Sequence, residues 1–475
     1  TLLHPYDSDK EYKALAKSDY SYSGKYYSAS GNGVEALYAN ILDTVSSFSK
    51  EKYDNIPLIF AKGSTSLLSG AFWANGDTFN LSNIKVSDDT KSLFAVSYTA
   101  KINDDTYQKN KKNLKAKKGA TKYDAYLSEI KKNNTAPVLI DSLGASSSVS
   151  IYDNKNKEVF GLSEEEQANQ IIDMYKSVNN GGFVGGLVSN INDSWNDVGS
   201  DSYATTVPLS NAYLWHDVTD INQTNGILSI DSAENEDSTL SVAEADQNIS
   251  GIDYGSDEGY LYVTINMKKK IDYEKQVVVI GLDTYKTPIE DEYKMGDAYK
   301  KLFGKTYSGL EFLIRIDNKD TATLYCVPSY NRKNGSLGVK EKFDADFNKV
   351  ATLKYGSFAT QNTQYFMTGN NIRLRLPWAM LNVTDASRRI IINDSGKNGA
   401  SGIDAQYRTT ISSGVAATAT VSKKKDMERA YEFPSSKRSP AYKRYAWSTW
   451  EESDVKYQIR EKAAFKSLEN YFITY

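Results

Sequence analysis

Short apolar runs alternate with helical periodicity over the first 200 residues of the chain. The apolar runs are at residues 56–63, 93–100, 136–144 and 181–190. Apolar residues recur every three or four positions at residues 33–52, 121–134 and 163–180. Apolar runs that alternate with amphipathic helices are typical of parallel strands whose crossover helices cover the sheet. We therefore predict an α/β domain over residues 1–200.

From Gly259 onward, apolar and polar residues alternate with a period of two, which indicates strands. The predicted strands are 260–269, 276–284, 309–317, 321–330, 371–381, 388–394 and 414–421. Many short strands without long helices are typical of an antiparallel β-sandwich, which we place at residues 259–445. The stretch before it, residues 201–258, is rich in Ser, Asn, Asp and Gly and is predicted to be a connector. Helical spacing returns at residues 446–475, which predicts a C-terminal helix that packs back.

The composition argues against several classes of function. The net charge is −3, with 57 basic and 60 acidic residues, so neither nucleic acid nor an anionic membrane is expected as the main partner. No stretch approaches ~18 uninterrupted apolar residues, so no transmembrane segment is predicted. Cys326 is the one cysteine and His4 and His216 are the two histidines, which excludes an internal disulfide and a zinc site built from several Cys and His. Any catalysis is therefore expected to use carboxylates.

Three stretches of sequence, taken in order, resemble the end of a glycoside-hydrolase TIM barrel. They are APVLIDSLG (136–144), GGFVGGLVSNINDSWND (181–197) and YLWHDVTDINQTNGILSID (213–231). The strands that follow resemble a DOMON-like carbohydrate-binding β-sandwich, an arrangement found in bacterial surface proteins. The resemblance implies a partial or degenerate TIM-barrel-like domain followed by an antiparallel β-sandwich. It also implies an extracellular or cell-surface location, which the 35 tyrosines favour as well.

The catalytic positions of that family are not matched in this chain. Where the seventh barrel strand of the family ends in a nucleophilic glutamate, this chain has Ser142, preceded by Asp141. The Asn-Glu pair that supplies the family's acid/base after the fourth strand is absent from the first half of the chain. Retaining hydrolysis needs two carboxyl groups about 5–5.5 Å apart. Because side chains alternate along a strand, we expect Asp141 to point away from the face of Ser142. The resemblance therefore implies a pseudoenzyme.

The first hypothesis is a glycosidase-derived protein that binds or scaffolds polysaccharide, or a cell-surface glycan, without hydrolysis. The predicted ligand-binding residues follow the seventh and eighth barrel strands of the resemblance: Asp141, Ser142, Asn190, Asn192, Asp193, Trp195 and Trp215. Their polar groups would hydrogen-bond sugar hydroxyls, and the tryptophans would stack on pyranose rings. An alternative for both tryptophans is packing at the joint between the two domains.

A second hypothesis is an active glycoside hydrolase, with Asp193 and Asp141 as the candidate catalytic residues. In an inverting scheme Asp193 would work with one further acid, and the candidates for that acid are Asp88, Asp89, Asp104 and Asp105. Such a pair would stand about 6.5–9.5 Å apart, which leaves room for the attacking water.

A third hypothesis is a structural or assembly protein of the cell surface. Only four buried strands are predicted before residue 200, whereas a closed barrel of this type needs eight. We therefore expect the edge of the strand at 56–63 to be covered by residues before Leu93 or by a second chain. A segment upstream of Thr1 is an alternative source of the missing strands.

No cofactor is predicted. Two pairs of turn residues have oxygen donors that suit a structural calcium ion, Asp153 with Asn156 and Asp317 with Asp320, although neither pair has EF-hand spacing.

Four residues with distinctive chemistry are predicted to be structural. Trp378 and Cys326 are expected in the core of the sandwich, and His216 is expected to support the joint between the domains. Trp447 is expected to anchor the C-terminal helix.

Overall fold

A computed structural model describes most of the chain and divides it into two compact units. The residues described are 14–15, 17–63, 81–102, 107–108, 111–132, 134–149, 151–152, 158–159, 161–197, 216–232, 240–243, 248–284, 310–326, 348–392, 409–434, 443–449 and 455–474. The first unit consists of Thr1–Ala145, Ala168–Ile191 and Ser467–Tyr475, and the second of Ser146–Gln167 and Asn192–Lys466. The units interleave along the sequence, whereas the sequence analysis expected consecutive domains.

The helices and four of the first nine strands fall in the segments where the periodicity predicted regular structure, and the other five of these strands are short additions. The helices are α1 (Gly33–Tyr53), α2 (Lys122–Lys132), α3 (Glu164–Asn180) and α4 (Ala463–Thr474). The strands are β1 (Ser21–Ser23), β2 (Tyr27–Ser30), β3 (Ile59–Lys62), β4 (Lys85–Val86), β5 (Phe94–Thr99), β6 (Val138–Leu143), β7 (Ile151–Tyr152), β8 (Glu158–Val159) and β9 (Gly185–Val188). No described helix is both long enough and apolar enough to cross a membrane.

A four-stranded parallel sheet forms the centre of the first unit. Its strand order is β3-β5-β6-β9, and every neighbouring pair is parallel. Helix α2 connects β5 to β6, and helix α3 precedes β9, so consecutive strands of the sheet are also neighbours in space. A small antiparallel sheet, β1-β2-β4, lies in the same unit. The predicted parallel pairing of the four apolar runs is confirmed.

The two faces of this parallel sheet differ in burial. One face carries Val96, Tyr98 and Ile140, which are buried. Helices supply tyrosines to this side: Tyr123 of α2 donates its hydroxyl to the carbonyl of Ala100 at 2.6 Å. The opposite face carries apolar side chains that remain exposed to solvent. The exposed side chains are Leu58 (59%), Phe60 (42%) and Leu187 (54%).

The second unit is built from antiparallel strands. They are β10 (Leu228–Ser232), β11 (Leu240–Ala243), β12 (Ile249–Ser256), β13 (Tyr260–Met267), β14 (Gln276–Asp283), β15 (Phe312–Asn318), β16 (Thr321–Cys326), β17 (Asn348–Leu353), β18 (Tyr365–Thr368), β19 (Asn371–Pro377), β20 (Val383–Asp385), β21 (Ile390–Ile392), β22 (Thr409–Ile411), β23 (Ala416–Lys423), β24 (Arg429–Phe433) and β25 (Tyr457–Glu461). A five-stranded sheet, β11-β12-β13-β19-β18, and a six-stranded sheet, β17-β16-β15-β14-β23-β24, contribute to one apolar core. The smaller sheets are β7-β8, β10-β25 and β20-β21-β22.

Two tryptophans lie at the centre of that core. The rings of Trp378 and Trp447 are stacked with their centroids 4.4 Å apart, and both side chains are buried. Each indole N–H donates to a backbone carbonyl, that of Asp257 at 2.9 Å and that of Ala386 at 2.8 Å, so neither buried donor lacks a partner. The core positions predicted for Trp378 and Cys326 are confirmed. Trp447 packs in this core instead of anchoring the C-terminal helix.

Two segments differ from their sequence predictions. Residues 201–258 were predicted to be a connector, yet they contain β10, β11 and β12. The C-terminal segment begins with β25 before α4 starts at Ala463, so only its second part is helical. The helical spacing of Val455 and Ile459 was misleading, because Ile459 lies 60% exposed in β25 and pairs with Ile230 of β10. Pairing between strands so distant in sequence leaves no local periodicity to detect.

Candidate functional site

The carboxyl ends of β3, β5 and β6 bring three polar side chains of the first unit together. The Lys62 ammonium donates to Thr99 Oγ1 at 2.7 Å and to both carboxylate oxygens of Asp141, with Oδ2 at 2.5 Å. The Thr99 hydroxyl lies 3.4 Å from Asp141 Oδ1. The cluster is open to solvent, since the Lys62 side chain is 36% exposed and that of Asp141 is 20% exposed. Parallel strands end at one edge of a sheet, which is why residues so far apart in sequence meet here.

An irregularity in β6 sets the direction of Asp141. Tyr98 pairs with Ile140, whereas the next residue of β5, Thr99, pairs with Ser142, so β6 carries one extra residue at Asp141. Such bulges re-aim side chains and are common next to functional sites. The carboxylate of Asp141 consequently meets Lys62 across β5, on the face of the sheet that also carries Phe60. We name Lys62, Thr99 and Asp141 the carboxyl-edge cluster.

A glycine lets β3 leave the sheet beside this cluster. The Gly63 N–H donates to the carbonyl of Ser97 at 2.8 Å, which extends the pairing of β3 with β5. A Cβ atom at Gly63 would lie 2.3 Å from the ring of Tyr98, so only glycine fits there.

Two further predicted residues follow the same edge of the sheet. Ser142 is half-buried on β6, and its carbonyl accepts from the N–H of Ala100 at 2.9 Å. Asn190 follows β9, and its side-chain oxygen accepts from the Ser189 hydroxyl at 2.7 Å. The structure therefore brings Asp141, Ser142 and Asn190 to the carboxyl edge of one sheet.

The chemistry of this edge suits a ligand rich in hydroxyl groups. The ammonium of Lys62 is a donor, the carboxylate of Asp141 is an acceptor, and the hydroxyl of Thr99 can act as either. Phe60, two residues before Lys62 on the same face of β3, offers an exposed aromatic ring.

In the second unit, Asp193 is buried and forms an ion pair with Lys462. Its Oδ1 accepts from Lys462 Nζ at 2.7 Å and from the N–H of Gly226 at 2.8 Å. Lys462 is fully buried and also donates to Ser147 Oγ at 3.0 Å and to the Thr224 carbonyl at 3.1 Å. All three protons of the ammonium therefore have acceptors. Burial raises the pKa of Asp193, against the opposing effect of Lys462.

Trp195 and His216 stack on each other next to this pair. Their ring centroids are 5.2 Å apart with an angle of 14° between the planes, and the Trp195 indole donates to the carbonyl of Ile230 at 2.8 Å. Both side chains are buried. Burial lowers the pKa of His216 to about 4, so the imidazole is neutral at physiological pH. These contacts match the alternative role predicted for Trp195, which is packing instead of ligand binding.

A second cluster of buried charges surrounds Arg460. Its guanidinium binds both carboxylate oxygens of Glu164, at 2.6 and 2.9 Å, and its Nε donates to Asp231 at 2.7 Å. Gln361 contacts Asp231 at 3.0 Å and lies 3.3 Å from Asp193, so it connects the two ion pairs. Sequence reasoning missed Arg460, Lys462 and Gln361, because each lies far along the chain from its partners.

The remaining predicted residues are scattered. Asn192 is exposed in the second unit, and Asp88 and Asp89 are exposed in a turn before the amino end of β5. The carboxylate of Asp317 accepts from the guanidinium of Arg315 at 2.8 Å, so it is already paired with an arginine of the chain. The predictions for Trp215, Asp104, Asp105, Asp153 and Asn156 lie outside the described residues. A structural calcium ion stays a prediction.

Compared with known proteins, the chain matches no family model and no curated protein.

Proposed function

We propose that the protein binds a polysaccharide or cell-surface glycan at the carboxyl edge of its parallel sheet, without hydrolysing it. The observation that carries this proposal is the solvent-open cluster of Lys62, Thr99 and Asp141 beside the exposed ring of Phe60. Ligands of α/β proteins bind at the carboxyl ends of the strands, which is where this cluster lies.

The resemblance of the sequence supports the same proposal. The order β3-β5-β6-β9, with all strands parallel, is compatible with part of a TIM barrel, and the antiparallel second unit is compatible with the sandwich that the resemblance implies. An extracellular or cell-surface location belongs to this proposal as well.

Binding is favoured over hydrolysis by the carboxylates at this edge. At this edge Asp141 is already bound to Lys62, and the candidate acids that follow β5, Asp104 and Asp105, lie outside the described residues. Asp88 and Asp89 precede the amino end of β5, so they stand at the opposite end of the sheet. Glycoside hydrolysis uses a pair of carboxyl groups on either side of the scissile bond. The described edge supplies half of such a pair.

The experiment that tests this proposal is a panel of immobilised neutral and charged glycans. The full chain should bind at least one glycan, and Asp141→Ala should weaken that binding about tenfold, as expected for the loss of a hydrogen-bonding carboxylate. Asp89→Ala is the matched control, because it removes an exposed carboxylate from the opposite end of the same sheet, and it should bind as the wild type does. Binding to no glycan, or equal binding by all three proteins, would contradict the proposal.

Assembly is a second candidate function, and the open sheet face favours it. Leu58, Phe60 and Leu187 are exposed on that face, on or beside the two edge strands β3 and β9. Two such sheets together would supply the eight parallel strands that a closed barrel needs. A second copy that covered this face would bury Phe60, the ring that the proposed glycan site offers, so the two functions compete for that side chain.

A further inference from the structure

A segment of the first unit carries a dense positive charge on an otherwise acidic chain. Residues 109–122 include seven lysines, and no Asp or Glu lies between Asp105 and Asp124. The described lysines of this segment are all exposed: Lys111, Lys112, Lys115, Lys117, Lys118 and Lys122. The net charge of the whole chain is −3, so this segment stands out against the average.

Two of these lysines bind uncharged acceptors. Lys111 donates to the side-chain oxygen of Gln108 at 2.6 Å, and Lys122 donates to the carbonyl of Leu114, both uncharged acceptors. Asp124, the nearest acid along the chain, accepts from the N–H and hydroxyl of Thr121 instead. A comparable run at residues 423–425 differs, since its first lysine pairs with Glu428 at 2.6 Å. The positive charge of the 109–122 segment is therefore available to a partner.

The same surface is grooved along helix α2. A cleft of about 650 Å³ is lined by Lys115 and Lys117, and a cleft of about 560 Å³ is lined by Lys131 and Lys132. Ala120, Asp124 and Ser128 line both clefts, and the acidic residues Asp124 and Glu129 line the first cleft together with its two lysines. Helix α2 has 11 residues, which gives it a length of about 16 Å. We name this feature the lysine groove.

We propose that the lysine groove binds an anionic polysaccharide, one that carries carboxylate, sulfate or phosphate groups at intervals along its chain. Lysine is a flexible, hydrated point charge, and the described groove contains no arginine to recognise a single planar anion through two hydrogen bonds. Several exposed lysines along one groove match a linear polymer with repeated charges better than one compact anion.

The choice of a glycan over other polyanions rests on the proposed function and on two features of the groove. Single-stranded nucleic acids use exposed aromatic rings for base stacking, whereas the one ring lining the described groove, Phe183, is half-buried under the Lys131 ammonium at 5.6 Å. A membrane surface would be contacted by a protruding basic face with apolar side chains, and this surface is concave.

The lysine groove and the carboxyl-edge cluster are separate sites on the first unit. Lys131 and Lys132 end helix α2 before the amino end of β6, whereas Asp141 lies towards its carboxyl end. Lys115, Lys117 and Lys118 lie in the connection from the carboxyl end of β5 to α2 and do not belong to the carboxyl-edge cluster, so their substitution leaves the side chains of that cluster in place.

The test uses the full chain with polygalacturonate as the anionic probe and dextran as the uncharged one. The triple variant K115Q/K117Q/K118Q should lose at least tenfold in affinity for polygalacturonate, and its affinity should depend less steeply on salt concentration than that of the wild type. K268Q/K269Q/K270Q is the matched control, because it removes three exposed lysines from the second unit, and it should bind as the wild type does. Thermal melting verifies that both variants fold.

Three outcomes would overturn the proposal. They are equal binding by the wild type and the K115Q/K117Q/K118Q variant, equal loss in both triple variants, and tighter binding to single-stranded DNA or phosphatidylglycerol vesicles than to polygalacturonate. The two proposals fail separately. Loss of all glycan binding by Asp141→Ala with none by the lysine variant would leave only the carboxyl-edge proposal standing. The reverse result would leave only the lysine groove.

Discussion

The stability of this fold depends on single buried charges such as that of Lys462. Its ammonium is fully buried, and its three protons go to Asp193, Ser147 and Thr224. Removing one partner of a buried ion pair leaves an uncompensated charge, which typically costs about 3–5 kcal/mol. Exposed pairs contribute about 0–1 kcal/mol, because water screens them.

We expect Lys462→Met to lower the free energy of unfolding by about 3–5 kcal/mol, measured in urea, because Asp193 would remain buried without its cation. Adding Asp193→Asn should recover part of that loss. The control is Lys50→Met, which removes one partner of the exposed pair Lys50–Asp54 and should change stability by less than about 1 kcal/mol. Equal effects of Lys462→Met and Lys50→Met would contradict this account of the buried pair.

The protonation of His216 makes the stability of the same region depend on pH. Its pKa falls from 6.5 to about 4 because burial disfavours the charged imidazole, and of the charges that face it only Asp231 opposes this shift, while Lys462, Arg375 and Arg460 reinforce it. Between these two values the unfolded chain binds more protons than the folded one, so the stability contribution is lost as the pH falls from about 6.5 to about 4.

We therefore expect His216→Gln to flatten the acid side of the stability profile. The full shift corresponds to roughly 3 kcal/mol. The readout is the melting temperature of the variant and wild type at pH 7 and pH 4.5, where the difference between the two proteins should shrink at the lower pH. Asp257 is the built-in contrast, because burial raises its pKa to about 7 and its effect runs in the opposite direction. A constant difference between the two proteins across this range would refute the assignment.

At the scale of elements, local patterns in the sequence predicted the helices and the sheet of the first unit. A capping box at the start of α3 shows how local such signals are: the N–H of Ser163 donates to the Glu166 carboxylate at 2.7 Å, and the N–H of Glu166 donates to Ser163 Oγ at 3.2 Å. These contacts lie within one turn, so adjacent residues determine them. The four apolar runs were equally easy to recognise, because strands of a parallel sheet carry apolar side chains on both faces.

Contacts between distant elements could not be predicted in the same way. Lys62 ends an apolar run and looks like the solvated end of a strand, and only the parallel register brings it to Asp141. Asp193 was expected to face a ligand because it follows a strand, yet Lys462, 269 residues later, pairs with it in the interior. The periodicity of a segment indicates which of its residues are buried, but it does not indicate which other segment they contact.

At the scale of the whole molecule, the open face of the parallel sheet makes the oligomeric state informative. If the face binds a glycan, the chain should be monomeric by size-exclusion chromatography with light scattering at micromolar concentration. If a second copy covers it, the chain should dimerise, and Leu187→Lys should dissociate the dimer by placing a charge in the contact. A dimer that Leu187→Lys leaves intact would rule out the open face as the contact between copies.

The carboxyl edge is proposed to bind a glycan without hydrolysing it. The most direct measurement is a calorimetric titration of wild type, Asp141→Ala and Asp89→Ala with the best-bound oligosaccharide of the panel, followed by chromatography of the recovered sugar. The account predicts saturable binding by wild type and Asp89→Ala, about tenfold weaker binding by Asp141→Ala, and intact sugar in every case. Cleaved sugar that depends on Asp141, or an affinity indifferent to Asp141, would contradict it.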